Sequence, residues 1–203
     1  MSSDKFFTYA VFFEGGLGVV ALFFGFLFGL DLFGGVVFSF SDFFLILVLT
    51  LFLLIFYFIL RVIPFECFRE IDRLICKIFR QYMVNISILG LAIISFVAGF
   101  GEELFFRGLL QNGLCEAAGG GDGNIIIFGK EFWSSYRILA ILIFVSVLFG
   151  VAHAVTATYF FLAFFISIYL GVILIVTENI IIPIAIHALY DFFILVYLKK
   201  RLE

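Results

Sequence analysis

Two adjacent glutamates and two histidines stand in stretches of the chain that are otherwise almost entirely apolar. Glu102 and Glu103 precede Arg107 in the run Gly-Glu-Glu-Leu-Phe-Phe-Arg-Gly, and the two histidines are His153 and His187. Residues four apart share one face of a helix, so Glu103 can pair with Arg107 while Glu102 points elsewhere. A carboxylate held in such a helix suits a general base that works near neutral pH.

A third carboxylate, Asp191, follows His187 by four residues, so it can orient the imidazole or accept a proton from it. Ionisable groups inside apolar spans cost about 2.5–3.5 kcal/mol each on insertion scales, and each therefore marks a candidate functional site. Plainer interpretations exist: solvated charges at a helix end for 102–107, a structural hydrogen bond for His153, and a helix-capping pair for His187 and Asp191. If the two Glu, two His and one Asp converge on one cavity, they form a hydrolytic site.

The elements that must position these groups follow from the composition. Of 203 residues, 65% are hydrophobic, 13% are charged and 33 are phenylalanine, with a mean hydropathy of +1.29. Soluble chains run nearer ~45–50% apolar, so much of this surface is expected to face lipid. The run 43–60 lacks the alternation of a β-barrel strand, which favours helices. The net charge of −3 argues against a nucleic-acid partner.

We predict an all-α fold, a polytopic transmembrane helical bundle of about six spans, or more if some helices are broken or re-entrant. The whole chain, 1–203, is expected to be a single integral membrane domain, with the motif-bearing core over 90–195. The third run is expected to continue as helix through the glutamates to Leu114. The predicted apolar runs are Phe6–Leu30, Phe43–Ile63, Tyr82–Phe100, Ile138–Ala152, Tyr159–Val176 and Ile181–Leu198.

Basic residues around the polar stretch Glu66–Gln81 and at the C-terminal end of the chain suggest that these segments, and both termini, are cytoplasmic. The first apolar run is interpreted as a retained helix and not as a signal peptide. On simple counting, Glu102 falls at the outer end of the third span, unless that helix is tilted, broken or entered from the cytoplasm through a cavity. The membrane face of the site is left open. The glycine-rich segment Glu116–Trp133 is predicted to be a flexible loop.

Three motifs in this order resemble the CAAX protease and bacteriocin-processing family (CPBP, also called Abi), which includes the type II CAAX prenyl endopeptidases. The family pattern is Glu-Glu-x-x-x-Arg, then Phe-x-x-x-His, then His-x-x-x-Asn/Asp, on successive membrane helices. The resemblance covers roughly residues 90–195. In this chain the matching positions are Glu102, Glu103, Arg107, Phe149, His153, His187 and Asp191.

The resemblance implies an intramembrane endopeptidase without a cofactor, in which Glu102 activates a water with help from His153. Glu103 and Arg107 would then hold the geometry of the helix and the site, or Glu103 would help to place the water. His187 and Asp191 would stabilise the oxyanion. Many family members have Asn at the last position, and an ionised Asp191 cannot donate a hydrogen bond. The expected partners are a peptide or membrane-protein substrate and the lipid bilayer, and the expected location is the cell (inner) membrane of a bacterium.

Three alternatives stay open on sequence grounds. Glu102, His153 and His187 could instead be zinc ligands of a metal-dependent version of the same peptidase, although no His-Glu-x-x-His run is present. The same polar core could bind a partner without catalysis, as in a bacteriocin-immunity or scaffold protein. Buried charges also line transport pathways, but the sequence shows no inverted repeat.

Overall fold

Long helices make up most of the chain, because a helix satisfies its own backbone hydrogen bonds where no water is available. The structure is a computed structural model that describes residues 2–33, 36, 39–118, 124–127, 130–133 and 136–202. The helices are α1 (Ser3–Phe28), α2 (Phe40–Val62), α3 (Glu66–Tyr82), α4 (Ile88–Glu103), a π-helical segment (Leu104–Asn112), α5 (Gly113–Ala117), α6 (Tyr136–Ala152), α7 (Ala157–Thr177) and α8 (Ile181–Leu202).

The predicted all-α class is confirmed, and the helices agree with the six predicted apolar runs to within a few residues, apart from the start and extent of the third. Within the described residues, five helices are long and apolar enough to cross a membrane. The sixth predicted span corresponds to α6, an apolar helix of 17 residues. The long spans are α1, α2, the continuous run Ile88–Ala117, α7 and α8.

The third span is a single helical run of 30 residues, Ile88–Ala117, because apolar residues continue beyond the two glutamates. The expected continuation of helix through Glu102 and Glu103 is confirmed. Glu102 lies near the middle of this helical run, and the membrane face to which it is nearest stays open. Directly after the glutamates, the helix widens into the π-helical segment.

The polar stretch between the second and third spans forms the amphipathic helix α3. Its apolar side buries Ile71 and Phe79, and its other side carries charged residues. Asp72 of α3 forms ion pairs with Arg61 at 2.9 Å and with Arg201 at 3.0 Å. These ion pairs connect the C-terminal ends of α2 and α8 to α3.

A short hairpin lies where the sequence predicted only a flexible loop. Strands β1 (Asn124–Ile127) and β2 (Lys130–Trp133) pair antiparallel, with Asn124 opposite Trp133. The loop prediction over Glu116–Trp133 is therefore wrong for these eight residues, because the β-branched run 125–127 prefers an extended backbone.

The chain forms two compact units. Unit 1 comprises Met1–Val19, Val37–Glu102 and Ile184–Glu203, and its core includes Phe79, Leu91 and Leu198. Unit 2 comprises Val20–Val36 and Glu103–Pro183, and its core includes Phe106, Val145, Phe149 and Ala163. The single domain expected over 1–203 stays a prediction.

Candidate active site

In unit 1, glycines allow three helices to approach each other closely beside the predicted site residues. A Cβ atom added to Gly101 of α4 would lie 2.0 Å from the backbone oxygen of Glu14 in α1. A Cβ atom added to Gly99 would lie 2.8 Å from the backbone nitrogen of Ala188 in α8. Small residues are what let membrane helices come into backbone contact. The segments that carry Glu102 and His187 are thus held against each other.

The side chain of Glu102 is buried, with 7% of its surface exposed. It lies beside the side chain of Glu14, which stands in the apolar helix α1. The sequence predicted only that Glu102 points away from Glu103 and Arg107, and the neighbouring carboxyl group comes from another helix. The three motifs do not include Glu14. The signal that could have found it was a lone carboxylate inside an apolar run.

His187 is 8% exposed, and its Nε2 atom lies 3.6 Å from Oδ2 of Asp191. The prediction that these two side chains share one face of α8 is confirmed. The charges of both groups also act on the carboxyl of Glu14. Unit 1 therefore gathers an imidazole and three carboxyl groups from three helices.

In unit 2, Glu103 and Arg107 form an ion pair of 3.0 Å between Oε2 and Nε, and both side chains are fully buried. This confirms the predicted pairing at a spacing of four residues. The guanidinium also donates to the backbone oxygen of Ser167 at 3.0 Å and to its Oγ at 3.1 Å. The Ser167 hydroxyl in turn donates to Oγ of Ser146 at 3.1 Å. Arg107 therefore anchors the π-helical segment to α7.

A second polar anchor was not found by sequence reasoning. Gln111, also in the π-helical segment, donates its amide to the backbone oxygen of Gly171 at 3.1 Å. Arg107 and Gln111 are four residues apart, as are their partners Ser167 and Gly171. Two equivalent hydrogen-bond contacts therefore join the π-helical segment to α7. In each contact the two residues are 60 positions apart in the sequence, and no local spacing pattern predicts such a pair.

His153 follows the last residue of α6 and is held in a defined orientation by Phe149. Its ring stacks on the Phe149 ring with centroids 4.4 Å apart, and its Nδ1 lies 2.9 Å from the Phe149 carbonyl oxygen. A carbonyl only accepts, so Nδ1 carries the hydrogen and the lone pair of the neutral imidazole is on Nε2. The guanidinium of Arg107 lies over the same phenyl ring, 5.0 Å from its centroid.

Of the six predicted site residues, unit 1 holds Glu102, His187 and Asp191, and unit 2 holds the others, Glu103, Arg107 and His153. The convergence of all six on one cavity stays a prediction. Among the described residues, no group of three or more His, Cys, Asp or Glu side chains could hold a metal ion. We therefore derive no step through zinc.

These observations define the class of the protein as a helical membrane protein, and its buried ionisable side chains mark a candidate functional site. Comparison with known families matches residues 84–193, just over half of the chain, to the family described as type II CAAX prenyl endopeptidase Rce1-like. The chain belongs to this Rce1-like family. Searches for similar curated proteins and for similar solved structures gave no match. Membership implies peptidase activity in general, a peptide substrate and integration in a membrane.

Proposed function

We propose that the chain is a glutamate-dependent endopeptidase that hydrolyses a peptide bond inside the membrane, with Glu102 as the general base. The observation that carries this proposal is the burial of Glu102 near the middle of an apolar helical run, beside a second carboxyl group. Burying an ionisable side chain there costs free energy that packing alone does not explain. The family match supports the reaction type.

In the proposed reaction, the Glu102 carboxylate takes a proton from a water molecule as the water oxygen attacks the scissile carbonyl carbon. A carbon–oxygen bond forms, and the carbonyl electrons move to its oxygen as an oxyanion. When the carbon–nitrogen bond breaks, the Glu102 carboxylic acid returns the proton to the leaving amine. The carboxylate is regenerated and no metal or cofactor is consumed.

His153 is assigned a role in the same water-activation step. Its neutral imidazole has an acceptor at Nε2, because Nδ1 is held by the Phe149 carbonyl. A second acceptor can orient the two hydrogens of the attacking water while Glu102 removes one of them.

His187 and Asp191 are assigned to the oxyanion. Nε2 of His187 lies 3.6 Å from the Asp191 carboxylate, which can orient the imidazole and balance its charge when the ring is protonated. Such an imidazolium can donate from Nδ1 to the oxyanion while Asp191 stabilises its charge. An ionised Asp can therefore stand where other family members have Asn, because the donor is the histidine.

Glu103 and Arg107 are assigned a positioning role. Their ion pair and the contacts of Arg107 with Ser167 fix the helical segment that follows Glu102. The proposed substrate is a peptide or a membrane-protein segment that reaches the base from within the bilayer. We further propose that the protein is a multi-pass protein of the bacterial cell membrane, since the resemblance includes bacteriocin-processing proteins.

The experiment that tests this function is cleavage of a peptide library by the full chain in lipid nanodiscs, read by mass spectrometry. We expect Glu102→Gln to lower kcat/KM by roughly 10²–10⁴-fold. The matched control is Glu70→Gln, an exposed carboxylate on α3, which should cleave at the wild-type rate. Wild-type cleavage by Glu102→Gln would remove the general-base role.

Two further measurements separate the alternatives. Metal analysis of the purified active protein, together with a chelator, distinguishes the zinc version, which predicts bound zinc and chelator-sensitive cleavage. A double variant of Glu102→Gln with His153→Ala should lose no more activity than the more impaired single variant, because the two residues serve one step. Full additivity of the two losses would assign them to separate steps.

A further inference from the structure

Glu14 is a carboxylate in the middle of an apolar 26-residue helix, and none of the three sequence motifs contains it. Charged groups in such helices are costly and face a polar interior or a functional group. Its side-chain atom Oε2 is shielded from solvent, whereas the neighbouring Phe12 and Phe13 are exposed at the lipid-type surface. The helix therefore turns its one central carboxylate inward.

The position of Glu14 is fixed by the crossing of α1 and α4. The backbone oxygen of Glu14 occupies the space that a Cβ atom on Gly101 would need, at 2.0 Å. A Cβ atom on Gly18 would in turn lie 3.4 Å from the Cα atom of Gly101. Gly101 directly precedes Glu102, so backbone contact at this level brings the two carboxyl groups side by side.

Two carboxylates cannot form a hydrogen bond with each other unless one of them carries a proton, because the ionised form only accepts. The side chains of Glu14 and Glu102 lie within reach of such a bond, and one carboxyl oxygen of each, Oε2, is shielded from solvent. The other titratable groups that act on Glu14 are His187 and Asp191 of α8. Two carboxyl groups in contact and shielded from water favour a state with one proton between them, since two adjacent negative charges repel each other.

We propose that Glu14 is a positioning residue that holds the shared proton of the pair and donates it as a hydrogen bond to the Glu102 carboxylate. This inference rests on the proposed role of Glu102 as the general base. The bond orients the Glu102 oxygen that takes the proton from water, and it keeps the pair at a single negative charge. During the reaction the pair gains one proton from water and loses one to the leaving amine, so Glu14 ends as it began.

This arrangement predicts an alkaline limit to activity. When the pair loses its shared proton, Glu14 stops donating and becomes a second negative charge beside the base. A glutamine at this position donates a hydrogen bond at every pH and carries no charge. A leucine there neither donates nor accepts. The two substitutions therefore separate the hydrogen bond from the space that the side chain fills.

The test compares the pH profiles of kcat and KM for the full-length wild type, Glu14→Gln and Glu14→Leu in lipid nanodiscs. We expect Glu14→Leu to lower kcat by roughly 10- to 100-fold with little change in KM, which corresponds to the loss of a charged hydrogen bond. Glu14→Gln should restore kcat to within roughly threefold of the wild type. It should also extend activity to higher pH than the wild type. The control is Glu70→Gln.

Three results would overturn the proposal: a fully active Glu14→Leu, equal loss in Glu14→Gln and Glu14→Leu, or an unchanged alkaline limit in Glu14→Gln. If Glu14→Leu is poorly folded, the Glu14→Gln profile alone decides. Loss of activity in Glu102→Gln together with a fully active Glu14→Leu would contradict only the positioning role of Glu14. An active Glu102→Gln would sink the proposed function itself.

Infrared spectroscopy tests the pair without any substrate. The wild type near neutral pH should show the carbonyl stretch of a protonated carboxyl group. This band should be missing from Glu14→Gln, in which Glu102 is the ionised base. Absence of the band from the wild-type minus Glu14→Gln difference spectrum would show that no proton is shared.

Discussion

The imidazole of His153 lies stacked on the ring of Phe149, with ring centroids 4.4 Å apart and planes inclined by 22°. The backbone oxygen of Phe149 also accepts a hydrogen bond from Nδ1 of His153. The spacing of four residues in Phe-x-x-x-His thus has a physical reason, because one residue fixes both the plane and the tautomer of the histidine. Arg107 on the same phenyl ring links this histidine to the Glu103 ion pair.

We first predict the effect of Phe149→Leu. Leucine keeps the backbone hydrogen bond to His153 but removes the stacking and the cation–π contact with Arg107. We expect stability to fall by about 1–2 kcal/mol and kcat to fall by about tenfold, as the imidazole loses its orientation. Thermal unfolding in detergent and peptide cleavage measure the two effects. Phe161→Leu, on an exposed ring of α7, is the control and should change neither.

The second prediction concerns the buried pair of Glu103 and Arg107. Replacing one partner leaves the other buried and uncompensated, which costs about 3–5 kcal/mol. We expect Arg107→Met and Glu103→Gln each to destabilise unit 2 by this order. The double variant should be less destabilised than the sum of the two, because no charge is left over. Equilibrium unfolding in mixed detergent measures the cycle, and strict additivity would contradict the pairing.

The third prediction uses two glycines of different surroundings. A Cβ atom at Gly101 would collide with the backbone of Glu14, whereas nothing lies within 4 Å of a Cβ atom at Gly16. We expect Gly101→Ala to destabilise by about 1–3 kcal/mol and to lower activity, because α1 must move away. Gly16→Ala should be neutral or stabilising by up to about 1 kcal/mol, since alanine favours helix. Equal unfolding temperatures for the two variants would contradict the close crossing.

The fourth prediction concerns the pH dependence of the contacts of Asp72. Partial burial opposes ionisation of this carboxyl, but the hydrogen bond and charge of Arg201, with those of Arg61, outweigh burial and lower its pKa below the ordinary 3.8. A lowered pKa means that the carboxylate stabilises the fold above pH 3.8, and that this contribution is lost as the pH falls through the folded value. Near neutral pH the contribution is therefore fully present.

We expect Asp72→Asn to lower the thermal unfolding midpoint near neutral pH, with a loss of about 1 kcal/mol. The difference from the wild type should shrink below pH 3.8 and vanish in stronger acid. The control is Glu70→Gln on the same helix, which should match the wild type throughout. A difference that is constant across this pH range would show that Asp72 acts through packing and not through its charge.

Much of the fold can be predicted from the sequence because the surroundings of the helices are lipid, which offers no hydrogen bonds to the backbone. A chain with 33 phenylalanines and long uncharged runs can satisfy its backbone only as helices, and their approximate positions could be read from those runs. The hairpin and the π-helical segment could not, because each depends on local geometry that the apolar pattern does not encode. The continuation of the third helix past Glu102 could be predicted, because apolar residues follow the charged ones in the sequence.

Sequence by itself determined the contacts that lie within one helical turn, namely Glu103 with Arg107 and His187 with Asp191, because a spacing of four residues fixes a shared face. Only tertiary structure decided the contact of Glu14 with Glu102 and that of Arg107 with Ser167, which join residues far apart in the chain. Those contacts depend on which helices come close. Small residues such as Gly101 determine which helices can come close, because they allow the two backbones to be in contact.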